Sequence, residues 1–203
     1  MANREQHSLQ AARPRRGSPA QTRERLLSAA AVIFNRAGYH GTDSNRIAKE
    51  AGYAAGTFYK HFKDKREVFL AVYETWITSE WAAIDAELSA GRKPDEIARR
   101  LVELSIDFHT KWRGLRASLT ELVLTDAEVR HFYRKQRRRQ LDIIAKLRSH
   151  LGIPAGRREA DAIHLFTTER VFDAIAQGEL RALGLDRGIV VEAMVEKVRS
   201  LLV

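Results

Sequence analysis

Seven histidines, at positions 7, 40, 61, 109, 131, 150 and 164, are the first residues to test for chemistry, and no two stand at a metal-ligating spacing such as H-E-x-x-H. The chain has no cysteine, which removes disulfides, thiolate zinc sites and a thiol nucleophile together. No G-x-S-x-G elbow, Walker loop or dinucleotide fingerprint occurs. Glu169, Asp173 and Glu179 fall on one helical stretch, where a surface face is a plainer reading than an acid/base pair. The expectation is a protein that is not an enzyme, with no catalytic residue, metal or cofactor. What remains is cationic. Thr57, Tyr59, Lys60, His61 and Lys65 lie close together, and hydroxyl, imidazole and ammonium groups at that density suit phosphate oxygens. A second basic run, Arg134-Lys135-Gln136-Arg137-Arg138-Arg139, is flanked by Asp126, Glu128 and Asp142. It reads as a solvated face, with an anionic ligand or DNA as the alternative.

The overall charge sharpens this. Lys and Arg number 35 against 26 Asp and Glu, a net charge of +9. Residues 1–18 contribute +3, residues 19–66 +5 and residues 67–203 only +1. An excess gathered in the first third suggests an N-terminal module that binds nucleic acid, against the plainer alternative of a solvated basic face. The 203 residues, 44% of them hydrophobic, suffice for a sizeable core. No apolar run approaches the roughly 18 residues of a membrane span. The N-terminus lacks the apolar stretch of a secretory signal. A cytoplasmic address and no membrane partner are expected.

These residues need elements to hold them. Residues 1–18 show no periodicity and a Pro-Arg-Arg-Gly break, and read as a flexible basic tail. From Pro19, Leu26, Leu27, Ala30, Ile33, Phe34 and Ala37 recur at helical spacing until Gly38. Further helices are expected over about 44–51, capped by Thr42 or Asp43, then 54–60, 64–90, 94–112, 115–124, 126–151, 158–182 and 188–202. No strand-like alternation occurs. The reading is an all-α fold of about nine helices, in a smaller N-terminal domain at 19–66 and a larger helical domain at 67–203.

Helix 44–51, a turn at Gly52-Tyr53 and a second short helix make a helix-turn-helix, with Ile47, Ala51, Phe58 and Phe62 as its small core. Gly52 permits the left-handed turn between the two. The second helix can enter a major groove about 12 Å wide. At these residues the sequence resembles the TetR-like (tetracycline-repressor) family of transcriptional regulators. The likeness rests on Ala37-Gly38-Tyr39, Gly41-Thr42, Ile47 to Gly52 and Gly56-Thr57-Phe58-Tyr59-Lys60-His61-Phe62 followed by Lys65. It covers residues 22–70. Ala54, where the family often has Ser, removes a hydroxyl cap from the third helix. Tyr53 replaces a small aliphatic residue and Arg66 an acidic one.

The resemblance implies a dimeric DNA-binding protein, usually a repressor, released from double-stranded operator DNA by a small effector. The DNA-binding candidates are Thr42, Ser44, Arg46, Ala55, Gly56, Thr57, Tyr59, Lys60, His61 and Lys65. Gly56 would serve by letting DNA approach the backbone. Lys65 gains from the amino end of the fourth helix, where amides favour anions. If the effector-binding and dimerisation domain at 67–203 works as its relatives do, an apolar cavity takes a lipophilic effector. Its candidate lining is Tyr73, Trp76, Ile77 and Glu80, then Leu104, Phe108 and Trp112, then Leu119 and Leu122, then Phe166, Glu169 and Arg170. The expected homodimer packs the last two long helices against their symmetry mates, through Leu165, Phe172, Ile175 and Ala176 on one, and Val190, Met194, Val198 and Leu201 on the other. The alternative for each stripe is the monomer core.

Overall fold

The computed structural model describes residues 18–154 and 156–202; the basic-tail expectation for residues 1–17 lies outside them. The described residues hold ten helices and no strand: α1 Pro19–Ala37, α2 Ser44–Glu50, α3 Ala55–Phe58, α4 Lys65–Leu88, α5 Pro94–Lys111, α6 Arg113–Thr125, α7 Ala127–His150, α8 Arg158–Gln177, α9 Glu179–Ala182 and α10 Arg187–Arg199. The tenth arises because the helix expected over 158–182 breaks. Gly178 takes φ 75°, a left-handed cap, and the residues beyond it restart as α9. The third helix is shorter than 54–60. Ala54 supplies no side-chain cap, and after Phe58 the chain continues in turns, with the His61 N–H donating to the Phe58 carbonyl at 2.9 Å.

The chain divides into two compact units between Val72 and Tyr73. In the first, Ser18 opens α1 with a capping box: its hydroxyl accepts from the Gln21 N–H while its own N–H donates to the Gln21 side chain. Leu26, Ile33 and Phe34 of α1, Ile47 of α2 and Phe58 of α3 are fully buried with Val68 and Phe69. Phe34 meets Phe69 edge-to-face at 5.2 Å between ring centres, a favoured aromatic geometry.

In the second unit, α5 packs on both α8 and α10. Ala98, Val102 and Ile106 form one apolar cluster with Phe172, Met194 and Val195. Part of the C-terminal stripes thus serves the chain's own core, the alternative weighed for them. Phe172 and Met194 are core residues of their own chain, and Ile175 and Val198 pack against the same cluster. Ala176, Val190, Leu165 and Leu201 are half-buried.

Candidate nucleic-acid interface and effector cavity

The first unit builds its exposed face from a tight frame. Gly41 passes so close to α1 that a Cβ there would lie 2.2 Å from the Ala37 carbonyl oxygen. Asp43, rather than Thr42, caps α2, accepting from the Arg46 N–H at 2.9 Å. Gly52 turns the chain with φ 81°, and the Tyr53 N–H closes the helix end on the Ala48 carbonyl at 2.8 Å. The anchor of α3 is Phe58, fully buried and 5.6 Å from Phe62 between ring centres.

The other side of α3 faces solvent. Ala55, Gly56, Tyr59 and Lys60 are exposed, and Thr57 and His61 are half-buried. A Cβ added to Gly56 would meet nothing within 4 Å. Packing therefore does not demand glycine there, and the residue leaves bare backbone on the outer face. Arg46 is exposed beside it in sequence order, its guanidinium donating to the Gly41 carbonyl at 3.0 Å.

Three DNA-binding candidates, Lys65, Thr42 and Ser44, are less open than these exposed residues. The Lys65 ammonium donates to the carbonyls of Tyr39 and Thr42, both at 2.9 Å, and sits 4.1 Å from the Tyr39 ring centre. It bolts the loop after α1 to the start of α4. Burial lowers its pKa, against the opposing field of Asp43. The amino end of α4 is not an open anion site either, because the Asp64 carboxylate accepts from the Glu67 N–H at 2.8 Å. Thr42 and Ser44 are largely buried, and the Thr42 hydroxyl lies 3.5 Å from the Asp43 carbonyl.

The second unit encloses a cavity of about 220 Å³. Trp81, Ile84 and Leu88 of α4, Leu101 of α5, Ile144 and Leu147 of α7 and Phe172 of α8 supply apolar wall. Of the residues expected to line an effector site, Glu80 and Glu169 do so, joined by Leu165, Phe172, Val198 and Leu201 from the stripes assigned to a dimer. The others lie elsewhere. Trp76 is fully buried between Tyr73 and Trp112, at 5.3 and 6.4 Å between ring centres. Ile77 and Leu122 are buried, and Leu104 and Phe108 half-buried, away from its lining. Leu119 lines a separate cavity of about 170 Å³. Phe166 is half exposed, and Arg170 is an exposed partner of Glu179.

One end of the large cavity is a buried charge network that the sequence reading missed. Arg116 clasps Asp173 through Nη2 at 2.7 Å and through Nε. His109 Nδ1 lies 2.9 Å from the same carboxylate. Arg137 donates Nη1 to Glu169 at 2.6 Å and to the Gln140 side chain at 2.9 Å. Burial would raise both acids. For Glu169 the Arg137 charge and hydrogen bond overcome it, and for Asp173 the bonds from His109 and Arg116 do, so each carboxyl is held below its ordinary range. Burial also lowers His109, so its imidazole favours the neutral form. Glu169 and Asp173 are thus interior partners, not the surface face expected. Arg137 turns inward from a run read as solvated, while Arg134, Lys135, Arg138 and Arg139 stay exposed. The signal available was spacing: Glu169 and Asp173 stand four apart, as do His109 and Ser105 of the cavity wall.

Glu80 is the exception in this network. It is 8% exposed, and its nearest basic group is His109 Nε2 at 4.0 Å. Desolvation, with Glu169 nearby, pushes its carboxyl up to about 8.

Comparison with known proteins fits this division. Residues 26–72 match the family model of bacterial regulatory proteins, tetR family. The HTH-type transcriptional repressor AcnR of Corynebacterium efficiens is 27% identical over 159 residues, 76% of this chain and 80% of that protein. The uncharacterised HTH-type transcriptional regulator YerO of Bacillus subtilis is 27% identical over 120 residues, and the match spans only 41% of its length. In three dimensions, a transcriptional regulator of Saccharomonospora viridis solved in complex with choline superposes with a TM-score of 0.61 at 21% identity, over 89% of this chain and 95% of the other. That likeness speaks to the fold alone. No described helix is long and apolar enough to cross a membrane.

Proposed function

We propose that this chain, whose residues 26–72 match the family model of bacterial regulatory proteins, tetR family, is a dimeric repressor of that family whose operator binding is relieved by a small organic effector. The observation that carries the DNA-binding role is the outer face of α3, where Gly56, Tyr59 and Lys60 stand exposed on a frame fixed by buried Phe58. With Arg46, Thr57 and His61 they offer bare backbone, hydroxyls and positive charge to a groove. Ala55 lets the helix approach without a side chain in the way. Two such faces related by a two-fold axis read an inverted repeat, with half-sites about one helical turn (~34–36 Å) or a small multiple apart. Support for the dimer comes from Ile163 and Phe166 on α8 and Ile189 on α10, which are 62, 50 and 72% exposed. Ile163 and Phe166, one helical turn apart on α8, give that helix an exposed apolar face of the kind a partner chain covers.

The 220 Å³ cavity is the effector site in this reading. Its wall includes Glu80, Trp81 and Ile84 of α4, the helix whose first residues belong to the DNA-binding unit. An effector that prefers one conformation of α4 shifts the population able to bind operator, and a shift from 99:1 to 1:99 needs ~5.5 kcal/mol of differential affinity. The test is a mobility shift on DNA upstream of the gene, with wild type and Gly56→Ala. The added methyl meets no atom, so the variant keeps its thermal midpoint but loses about tenfold in operator affinity (about 1.4 kcal/mol). Unchanged affinity removes α3 from the interface.

A further inference from the structure

We infer that the cavity takes an apolar molecule bearing one positive charge, with its cationic head against Glu80. The inference rests on the effector reading above and adds the chemistry of the head group. Glu80 lines the cavity and is more than nine-tenths buried, and the basic group facing its carboxyl, His109 Nε2, stands off at 4.0 Å. The groups around it come from four other helices: His109 on α5, Arg116 on α6, Arg137 on α7, and Glu169 and Asp173 on α8. Both arginines are committed, Arg116 to Asp173 and Arg137 to Glu169. His109 is neutral by burial and already bonded to Asp173. Three carboxyls therefore face two permanent cations, and Glu80 is the acid left over.

A buried carboxyl in this position has two states. It stays protonated, or it ionises when a counter-charge arrives. A ligand ammonium provides that charge in a low-dielectric site, where the pairing is strong. The indole of Trp81, also in the wall, adds an aromatic surface of the kind cations favour. A carboxylate head meets the opposite situation. At this end it would face Glu80 and Glu169, and Arg148 further along the wall already pairs with Asp161 at 3.1 Å. The apolar walls set the remainder of the ligand as hydrocarbon or aromatic.

Binding a permanent cation must displace the Glu80 proton at neutral pH. Below the carboxyl's value of about 8, affinity should fall about tenfold per pH unit, with one proton released per ligand bound. His109 strengthens the same trend, since its protonation at low pH would supply the charge the ligand otherwise brings.

The experiment uses the full chain, tryptophan fluorescence and titration calorimetry, with octyltrimethylammonium, octanol and octanoate as probes. These share one tail and differ in head charge, and the quaternary head does not itself titrate. The expected result at pH 7 is a cation bound at least about tenfold more tightly than either other probe, with a proton released to buffer. Glu80→Gln should abolish both the preference and the pH dependence while still binding octanol, which shows the cavity intact. Equal affinity for octanol and the cation, tighter binding of octanoate, or a cation preference that survives Glu80→Gln overturns the inference and leaves the effector reading standing. Failure of all three probes to bind the wild type overturns both.

Discussion

Buried polarity separates the two units. Among the described residues of the first, the buried polar side chains are Thr22, Thr42 and Ser44, and no ionisable group is fully enclosed. Its core is a set of interlocked aromatic and aliphatic side chains, and exposed cations such as Arg46 and Lys60 face outward, with Lys65 turned onto backbone carbonyls. In the second, Glu80, His109, Arg116 and Asp161 are buried, with Arg137, Glu169 and Asp173 close to them. A unit that docks on a fixed polyanion gains from a dry core and a charged surface. A unit that selects a small molecule needs polar groups inside, already oriented, and each must be matched or it costs free energy. The difference predicts that single charge deletions will act on stability in the second unit and on DNA affinity in the first.

The largest expected effect tests the interior network. Asp173→Ala leaves Arg116 buried without its clasp and takes from His109 its partner. Removing one member of such a pair costs about 3–5 kcal/mol. Chemical denaturation should show the loss in the transition of residues 73–203. A loss below about 1 kcal/mol would mean that water reaches this network and that the contrast between the units is weaker than drawn.

Lys65 and Lys60 provide the next test. Both are lysines near the DNA face, yet one is enclosed by carbonyls and the other exposed. Lys65→Ala should cost about 1.5–3 kcal/mol, the range for hydrogen bonds to a charged group, and leave the salt dependence of operator binding unchanged under folding conditions. Lys60→Ala should leave stability unchanged and lower the salt slope by about one phosphate contact. An exchanged pair of outcomes would return Lys65 to the phosphate contacts.

Glu80 supplies a pH test that needs no ligand. Its folded value, about 8, stands above its ordinary value of 4.5. The folded state therefore holds the proton more tightly, so the Glu80 contribution is intact below about pH 4.5 and is lost as pH rises through about 8. Glu80→Gln removes that loss. Between those limits the stability gap between variant and wild type should widen with pH by up to about 1.4 kcal/mol per unit. His109, whose value is lowered by burial, lies 4.0 Å from Glu80, so the slope is read above about pH 6.5, the ordinary imidazole value, where His109 is neutral in both proteins. A gap that stays flat from there to about pH 8 would place Glu80 in contact with solvent.

The contrast between the units also governs what the sequence revealed. The helix-turn-helix was legible because its determinants are local. Gly41, Gly52 and Phe58 each act within a few residues of their neighbours, so type and spacing carry the geometry. The structural contacts of Lys65 were not legible because its partners, the Tyr39 and Thr42 carbonyls, are backbone atoms from 26 and 23 positions away, and a sequence shows no carbonyl. The cavity depends on which faces of α4, α5, α7 and α8 meet. Glu80 and Glu169 were reachable as lone acids on apolar stretches. Trp76 was placed in the wall and Trp81 was not, although the two differ only by their angular position on α4. Arg137 could not be told from its basic neighbours until α8 supplied Glu169, and the ring of committed arginines is a property of three helices together.

The smallest effect tests the one place where a local rule was read to be missing. Ala54 has the extended backbone of an N-cap, φ −71° and ψ 152°, yet offers no side-chain acceptor to α3. The residue is exposed, so a hydroxyl would find room. Ala54→Ser would place an oxygen within reach of the Gly56 or Thr57 N–H, the usual bonds of a capping serine. The expected gain is about 1 kcal/mol in the stability of the first unit, seen as slower amide exchange from α3 and a higher unfolding midpoint. Because α3 makes four residues of regular helix, most of its order must come from buried Phe58, and the cap can only add to that anchor. If Ala54→Ser gives nothing while Phe58→Ala unfolds the unit, tertiary packing alone holds α3. If the serine also tightens operator binding, then part of the ordering cost of α3 is still unmet when DNA arrives.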